Sequence, residues 1–210
     1  LTYAYVLANE DDRTNTTEDN NDIDVHLLRA NFQGILGGNL SVYGIFLSDE
    51  CRLTTGTVCS GTDNNIYTVG FRQAGQLFGI DYRGEYYYQG GDAIADATAT
   101  STLKYGSGAG LSKVDRDAYM FGVRIGKKFN NVAMKPSLTV WYDQLSGTDD
   151  GDIDSGDWGG FNTLFDTGHK FYGHMDLFLS NVNHGTQGLG LTDLAVKASI
   201  QPMPGWTVKA

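Results

Sequence analysis

Between Leu77 and Gln89 the chain reads LFGIDYRGEYYYQ. Phe78, Ile80, Tyr82, Gly84, Tyr86 and Tyr88 hold the even positions, and Asp81, Arg83, Glu85 and Gln89 hold odd ones. A period of two kept over about a dozen residues predicts a β-strand whose faces meet different surroundings. Strands of soluble sandwiches usually run about 5–6 residues, whereas a tilted strand needs about 9–11 to cross a bilayer. Tyr86, Tyr87 and Tyr88 crowd one end, where a membrane strand places its interfacial aromatics. The stretch predicts a transmembrane strand with lipid on the even side and a polar lumen on the odd side.

Eight further segments repeat the pattern. Leu1–Ala8 puts Leu1, Tyr3, Tyr5 and Leu7 on one face. Val25–Gln33 sets Leu28, Ala30 and Phe32 against Arg29, Asn31 and Gln33. An ILGGN turn leads to Leu40–Ser48, which is apolar on both faces and carries no orientation signal. Ile66–Gln73 opposes Tyr67, Val69 and Phe71 to Thr68, Gly70 and Arg72, and an AGQ turn is expected to deliver the Leu77–Gln89 strand. After a Gly/Ala/Ser/Thr-rich loop over residues 90–116, Ala118–Lys128 sets Tyr119, Phe121, Val123 and Ile125 against Met120, Gly122, Arg124 and Gly126. The FNNVAM turn precedes Lys135–Leu145, with Leu138, Val140 and Tyr142 opposite Lys135, Ser137, Thr139 and Asp143. A connection over 146–190 leads to Leu191–Gln201, where Leu194, Val196, Ala198 and Ile200 oppose Asp193, Ala195, Lys197, Ser199 and Gln201. PMPGW then begins a ninth strand.

Connections alternate long and short, as in outer-membrane barrels with their extracellular loops and periplasmic turns. No run of 18 apolar residues exists, which excludes transmembrane helices. A mean hydropathy of −0.29 suits a barrel, because half of each strand is polar. The expected fold is all-β, an antiparallel transmembrane β-barrel in the bacterial cell outer membrane of a Gram-negative cell. Strand number in such barrels is normally even. Leu1 sits within a strand and Trp206–Ala210 reads as a strand cut short, so residues 1–210 are read as one barrel domain truncated at both ends.

The net charge of −10 conceals a segregation. Residues 9–24 hold seven acids against Arg13, and residues 146–190 hold seven aspartates against Lys170. The strands and short turns are instead basic: Arg29, Arg72, Arg83, Arg124, Lys127, Lys128, Lys135, Lys197 and Lys209 outnumber Asp81, Glu85, Asp117, Asp143 and Asp193. By the alternation nearly all these bases share the polar face, Lys127 at the periplasmic end excepted. A charge facing lipid at mid-membrane costs about 2–4 kcal/mol, so the polar face is expected to be the lumen. Arg29, Arg72, Arg83, Arg124, Lys135 and Lys197, with Asp81, Glu85 and Asp143, are the expected solute path. Basic pore linings favour anions.

Within the 146–190 connection lies FNTLFDTGHKFYGHMDLF, residues 161–178. Phe161, Leu164, Phe165, Thr167, Gly168, His169, Phe171, Tyr172, Gly173, Asp176, Leu177 and Phe178 form a pattern that resembles the alginate export family of outer-membrane β-barrels. Family members typically carry Pro where this chain has Asp166. The motif covers under a tenth of the chain, and the surrounding strand layout agrees with it. The resemblance implies a monomeric barrel of about 18 strands, with an Arg-rich lumen that passes the polyanion alginate.

Other chemistry is weakly signalled. His169, His174 and Asp176 lack the helix and supporting partners of a metal site. Asp150, Asp152 and Asp154 in DDGDIDSGD suggest a calcium ion, but the loop lacks Gly at its sixth position and Glu at its twelfth. A solvated acidic loop is the competing reading, and no other cofactor is implied. YGSGAG at residues 105–110 lacks the strand and Lys-Ser/Thr of a phosphate loop. Cys51 and Cys59, close together in a polar segment of an exported chain, are expected to form a local disulfide. No nucleophile–base pair stands out, and an enzyme is not expected. The partners implied are outer-membrane lipid and an anionic or sugar-like solute, with no nucleic acid. Three classes of function follow: a conduit for anionic or polyhydroxylated solutes, a plugged barrel serving adhesion or assembly through its acidic loops, and, weakest, a surface enzyme using loop His and Asp residues.

Overall fold

The computed structural model describes residues 1–9, 23–49, 65–96, 111–149, 152, 155–164 and 190–209. Cys51, Cys59, Asp150, Asp154, Thr167, Gly168, His169, Phe171, Tyr172, Gly173, His174, Asp176 and Phe178 lie outside these residues. The strands are β1 (Thr2–Asn9), β2 (Ile23–Ile35), β3 (Gly38–Asp49), β4 (Ile66–Leu77), β5 (Ile80–Asp96), β6 (Leu111–Lys128), β7 (Ser137–Leu145), β8 (Asp157–Trp158), β9 (Leu191–Ile200) and β10 (Val208–Lys209). They form one sheet in the order β1-β2-β3-β4-β5-β6-β7-β9-β10, with β8 alongside β6. Every sequential pair is antiparallel, and only β8 pairs in parallel. The fold is all-β, an antiparallel meander that makes up an open portion of a barrel wall.

Because directly paired residues share a face, the register sorts the whole sheet. Arg83 pairs Arg124, which pairs Trp141, which pairs Ala195. One rung on, Ser41, Arg72, Glu85, Gly122, Asp143 and Asp193 are consecutive partners. The opposite face presents Phe71, Tyr86 and Phe121, then Ile125, Val140 and Val196, as equivalent rungs. Val69 is 51% exposed, Val196 62% and Leu194 70%. A continuous apolar surface of that extent needs an apolar environment. Rings meet along it where the long connections begin: His26 with Phe46 and Tyr86 with Tyr119 stacked, Tyr5 with His26 and Tyr67 with Tyr88 tilted.

Four expectations are corrected. Phe78 is not a strand residue. It forms a two-residue turn with Gly79, where φ is +53° and +73°, between the paired Leu77 and Ile80. Positive φ at both central positions matches the twist of the flanking strands, and Phe78 stands 92% exposed at the tip. The AGQ residues consequently belong to β4 rather than to a turn. Leu36 and Gly37 form the equivalent β2–β3 turn, with φ of +49° and +71°. Next, residues 90–96 and 111–116 are paired strand, not loop, from Gly90 with Asp117 to Asp96 with Leu111. Lastly, β7 begins at Ser137, so Lys135 leaves the wall. It sits in the 129–136 turn with φ of +40°, its N–H donating to the Val132 carbonyl at 3.0 Å.

Candidate functional site: the polar face of the sheet

The polar face carries charge in bands. Arg83, near the short-turn end of β5, reaches Glu85 at 2.7 Å, and Arg72 on β4 approaches the other Glu85 oxygen at 3.8 Å. Across β6, Arg124 donates to Asp143 at 3.2 Å. Glu85 and Asp143 are both buried, at 8% and 1% exposure. Gly122 lies between them in the rung, and a Cβ there would come within 2.8 Å of Asp143 Oδ1 and 3.2 Å of Glu85 Oε1. The missing side chain at Gly122 therefore lets two carboxylates enter the lattice of guanidinium groups. Three guanidiniums against two carboxylates leave this cluster with one net positive charge.

Aromatic rings flank the cluster on both sides. Toward the long connections, Arg29 stands 5.5 Å over the Tyr43 ring, and Tyr43 meets Tyr87 at 5.9 Å. That contact crosses Gly70, the residue between them in the rung, where a Cβ would collide with the Tyr87 ring. Toward the short turns, Arg124 stands 5.5 Å over Trp141, whose Nε1 donates to Asp193 at 2.9 Å. Arg29 also donates to Ser41, which donates to Asn31. Asp81 and Lys197 lie two residues nearer the short turns, on the same face through Gly126 and Thr139.

The register therefore brings Arg29, Arg72, Arg83, Arg124, Lys197, Asp81, Glu85 and Asp143 onto one face of the sheet. Sequence reasoning missed Tyr43, Tyr87 and Trp141, which interrupt otherwise polar positions, and Arg116, assigned to a loop. A search for aromatics out of phase with the apolar stripe would have found Tyr87 and Trp141. Tyr43 gave no such signal, because β3 is apolar on both faces.

At the long-connection end a second layer covers this face. Trp158 of β8 packs on Ala93 and Val114. Arg116, 3% exposed, donates to the Gly160 carbonyl at 2.7 Å and to the Asp92 carbonyl at 3.2 Å. Gln89, fully buried, exchanges two hydrogen bonds with the Asn162 backbone, at 2.7 and 2.8 Å. Leu164 packs against Val25, Leu47 and Ile66, on β2, β3 and β4. Residues 157–164 thus cross the wall from β6 to β2. Of the motif residues, the described Phe161 and Leu164 belong to this crossing.

A family model described as alginate export matches residues 4–200. The chain belongs to the alginate export family. No curated protein and no solved structure matches it. Alginate export is a transport family of outer-membrane β-barrels, and the open antiparallel sheet is the corresponding barrel wall. Membership supports a role in exporting polysaccharide. The suggested calcium loop is represented by Asp152 alone. Its Oδ2 accepts from the Asp149 N–H, and its own N–H donates to Asp149 Oδ1, both at 3.0 Å. Those reciprocal bonds have the pattern of a capping box at a helix start, and residues 152 and 155 are helical. Among the described residues no three acidic, His or Cys side chains converge as metal ligands.

Proposed function

We propose that this member of the alginate export family lines an outer-membrane conduit that passes an anionic, polyhydroxylated polymer, with Arg72, Arg83 and Arg124 setting its preference for anions. In this reading the apolar face meets lipid, the polar face is the lumen, and the long connections are extracellular. The observation that carries it is the shared rung system of guanidinium groups. By register Arg29, Arg72, Arg83, Arg116, Arg124 and Lys197 share the face with Asp49, Asp81, Glu85, Asp143 and Asp193, and Lys128 and Lys209 add two bases at the short-turn end. Arg suits this work because its planar fork pairs a carboxylate bidentately and stays charged at any working pH. The neighbouring rings Tyr43, Tyr87 and Trp141 offer apolar surface of the kind that sugar rings cover.

The acidic long connections favour outward traffic. They repel a polyanion within about a Debye length, ~8 Å at physiological salt, which opposes return once the polymer has left. The test is the reversal potential of the purified full-length barrel in planar bilayers under a salt gradient. Replacing Arg83 and Arg124 together by Glu is expected to move it toward cations and to weaken block by added polyuronate. An unchanged reversal potential removes these side chains from selectivity. The segment across the polar face keeps a second reading open, a plugged barrel acting through its surface loops, and a wild-type protein without conductance would favour it.

A further inference from the structure

We infer that residues 157–164 form a fixed constriction of the conduit, a collar seated on the extracellular side of the arginine cluster, with Gln89, Arg116 and Leu164 holding it in place. The inference rests on the lumen reading of the polar face. Residues on an uncovered sheet face should be accessible, and the two ends of the strands differ. Thr68 is 3% exposed, while Gln89, Ala93 and Ala118 are completely buried. Asp81 and Lys197, toward the short turns on the same face, are exposed. Ser41, Glu85 and Asp143, between the two, are buried as well, but by hydrogen bonds and ion pairs with side chains of the wall itself; among the described residues a second layer covers the end beneath residues 157–164.

The attachments describe a seat rather than a hinge. Three kinds of contact hold the segment on five adjacent strands: strand pairing of Asp157 and Trp158 with β6, hydrogen bonds from Arg116 and Gln89, and the apolar anchor at Leu164. Backbone is held at Gly160 and Asn162, where no side chain of the segment is needed. The segment is also tied to its own entry: Ser146 donates to the Gly159 carbonyl at 2.7 Å, and the Gly160 N–H donates to Thr148 at 3.1 Å. An element so held displaces lumen volume permanently. A polymer leaving the arginine cluster must pass between it and the far wall, so the collar sets a limit on cross-section, whereas the arginines set a preference for charge.

The test uses the full-length barrel in planar bilayers, with neutral polyethylene glycols of graded size as probes. Gln89→Ala and Leu164→Ala, made separately and together, are expected to raise single-channel conductance, most in the pair, and to admit larger glycols. Reversal potential should stay at the wild-type value, because the arginine cluster is untouched. Wild-type conductance and glycol cut-off in all three variants would overturn the collar. So would a silent wild type whose variants conduct, since that behaviour belongs to a plug. Gln33→Ala, exposed on the same face toward the short turns, should leave the glycol cut-off unchanged. The Arg83/Arg124 replacement reads charge and these variants read size, so either proposal can fail while the other stands.

Discussion

Gly122 has no side chain, and two carboxylates lean into the space this leaves. Gly122→Ala puts a methyl group 2.8 Å from Asp143 Oδ1 and 3.1 Å from Glu85 Cγ, and with Asp143 at 1% exposure the carboxylate has little room to retreat. Overpacking of this kind costs about 1–3 kcal/mol. We expect Gly122→Ala to lower stability by about 1 kcal/mol, read from urea-dependent folding into lipid vesicles; unchanged stability would show that the rung can spread. Glu85→Gln acts differently. It keeps the shape but removes the charge facing Arg72 and Arg83, so the reversal potential should move further toward anions, and a shift toward cations would contradict the lumen reading. At this scale the sequence was informative wherever charge followed the alternation. Arg29, Arg72, Arg83 and Arg124 could be placed because each sits opposite an apolar stripe. Tyr87 and Trp141 are legible only through their phase, as aromatics at polar positions of the alternation, and Tyr43 is not legible at all, because β3 is apolar on both faces.

Strands were legible and turns were not, for one physical reason. A strand repeats its signal over many residues, whereas a two-residue turn depends on the φ values of two. Leu36–Gly37 and Phe78–Gly79 adopt positive φ at both positions without the Asn or Asp that usually leads such a turn. A non-glycine residue in the left-handed region costs about 1–2 kcal/mol, and Asn bears this better because its short side chain bonds locally. Phe78→Asn is therefore expected to stabilise the β4–β5 hairpin by about 0.5–1 kcal/mol, seen as a higher urea midpoint of vesicle-inserted protein. A lower midpoint would mean that the exposed Phe78 ring anchors the turn at the membrane surface. The extensions of β5 and β6 escaped notice because GGDAIAD and its partner LSKVDRD carry little apolar alternation. They are held by each other and, at Ala93 and Arg116, by Trp158 and Gly160. Contacts such as Gln89 with Asn162, 73 positions apart, leave no periodic trace in a sequence.

At the scale of the molecule, the two faces of one sheet are assigned to two solvents, and that assignment can be tested at a single depth. Thr139 and Val140 are neighbours in β7. Thr139 stands on the polar face between Gly126 and Lys197, and Val140 on the apolar face between Ile125 and Val196. An arginine at Val140 would face hydrocarbon, at a cost of about 2–4 kcal/mol at mid-membrane that falls to about 0–1 near the interfaces. Val140 pairs three residues in from the Ser137 end of β7, so a value of about 2 kcal/mol is expected, at the lower edge of the mid-membrane range. An arginine at Thr139 would face the lumen, where Asp81 lies in the same rung and water solvates the guanidinium. Thr139 is half-buried, and the expected change there is about 0.5 kcal/mol, below that at Val140. Urea-dependent folding of both variants into vesicles compares the two faces directly, with strand, depth and introduced residue held nearly constant. Equal costs would mean that both faces are wet, as in a soluble sheet. A larger cost at Thr139 would place the lipid on the polar side, and the lumen, the arginine cluster and the collar would lose their common footing.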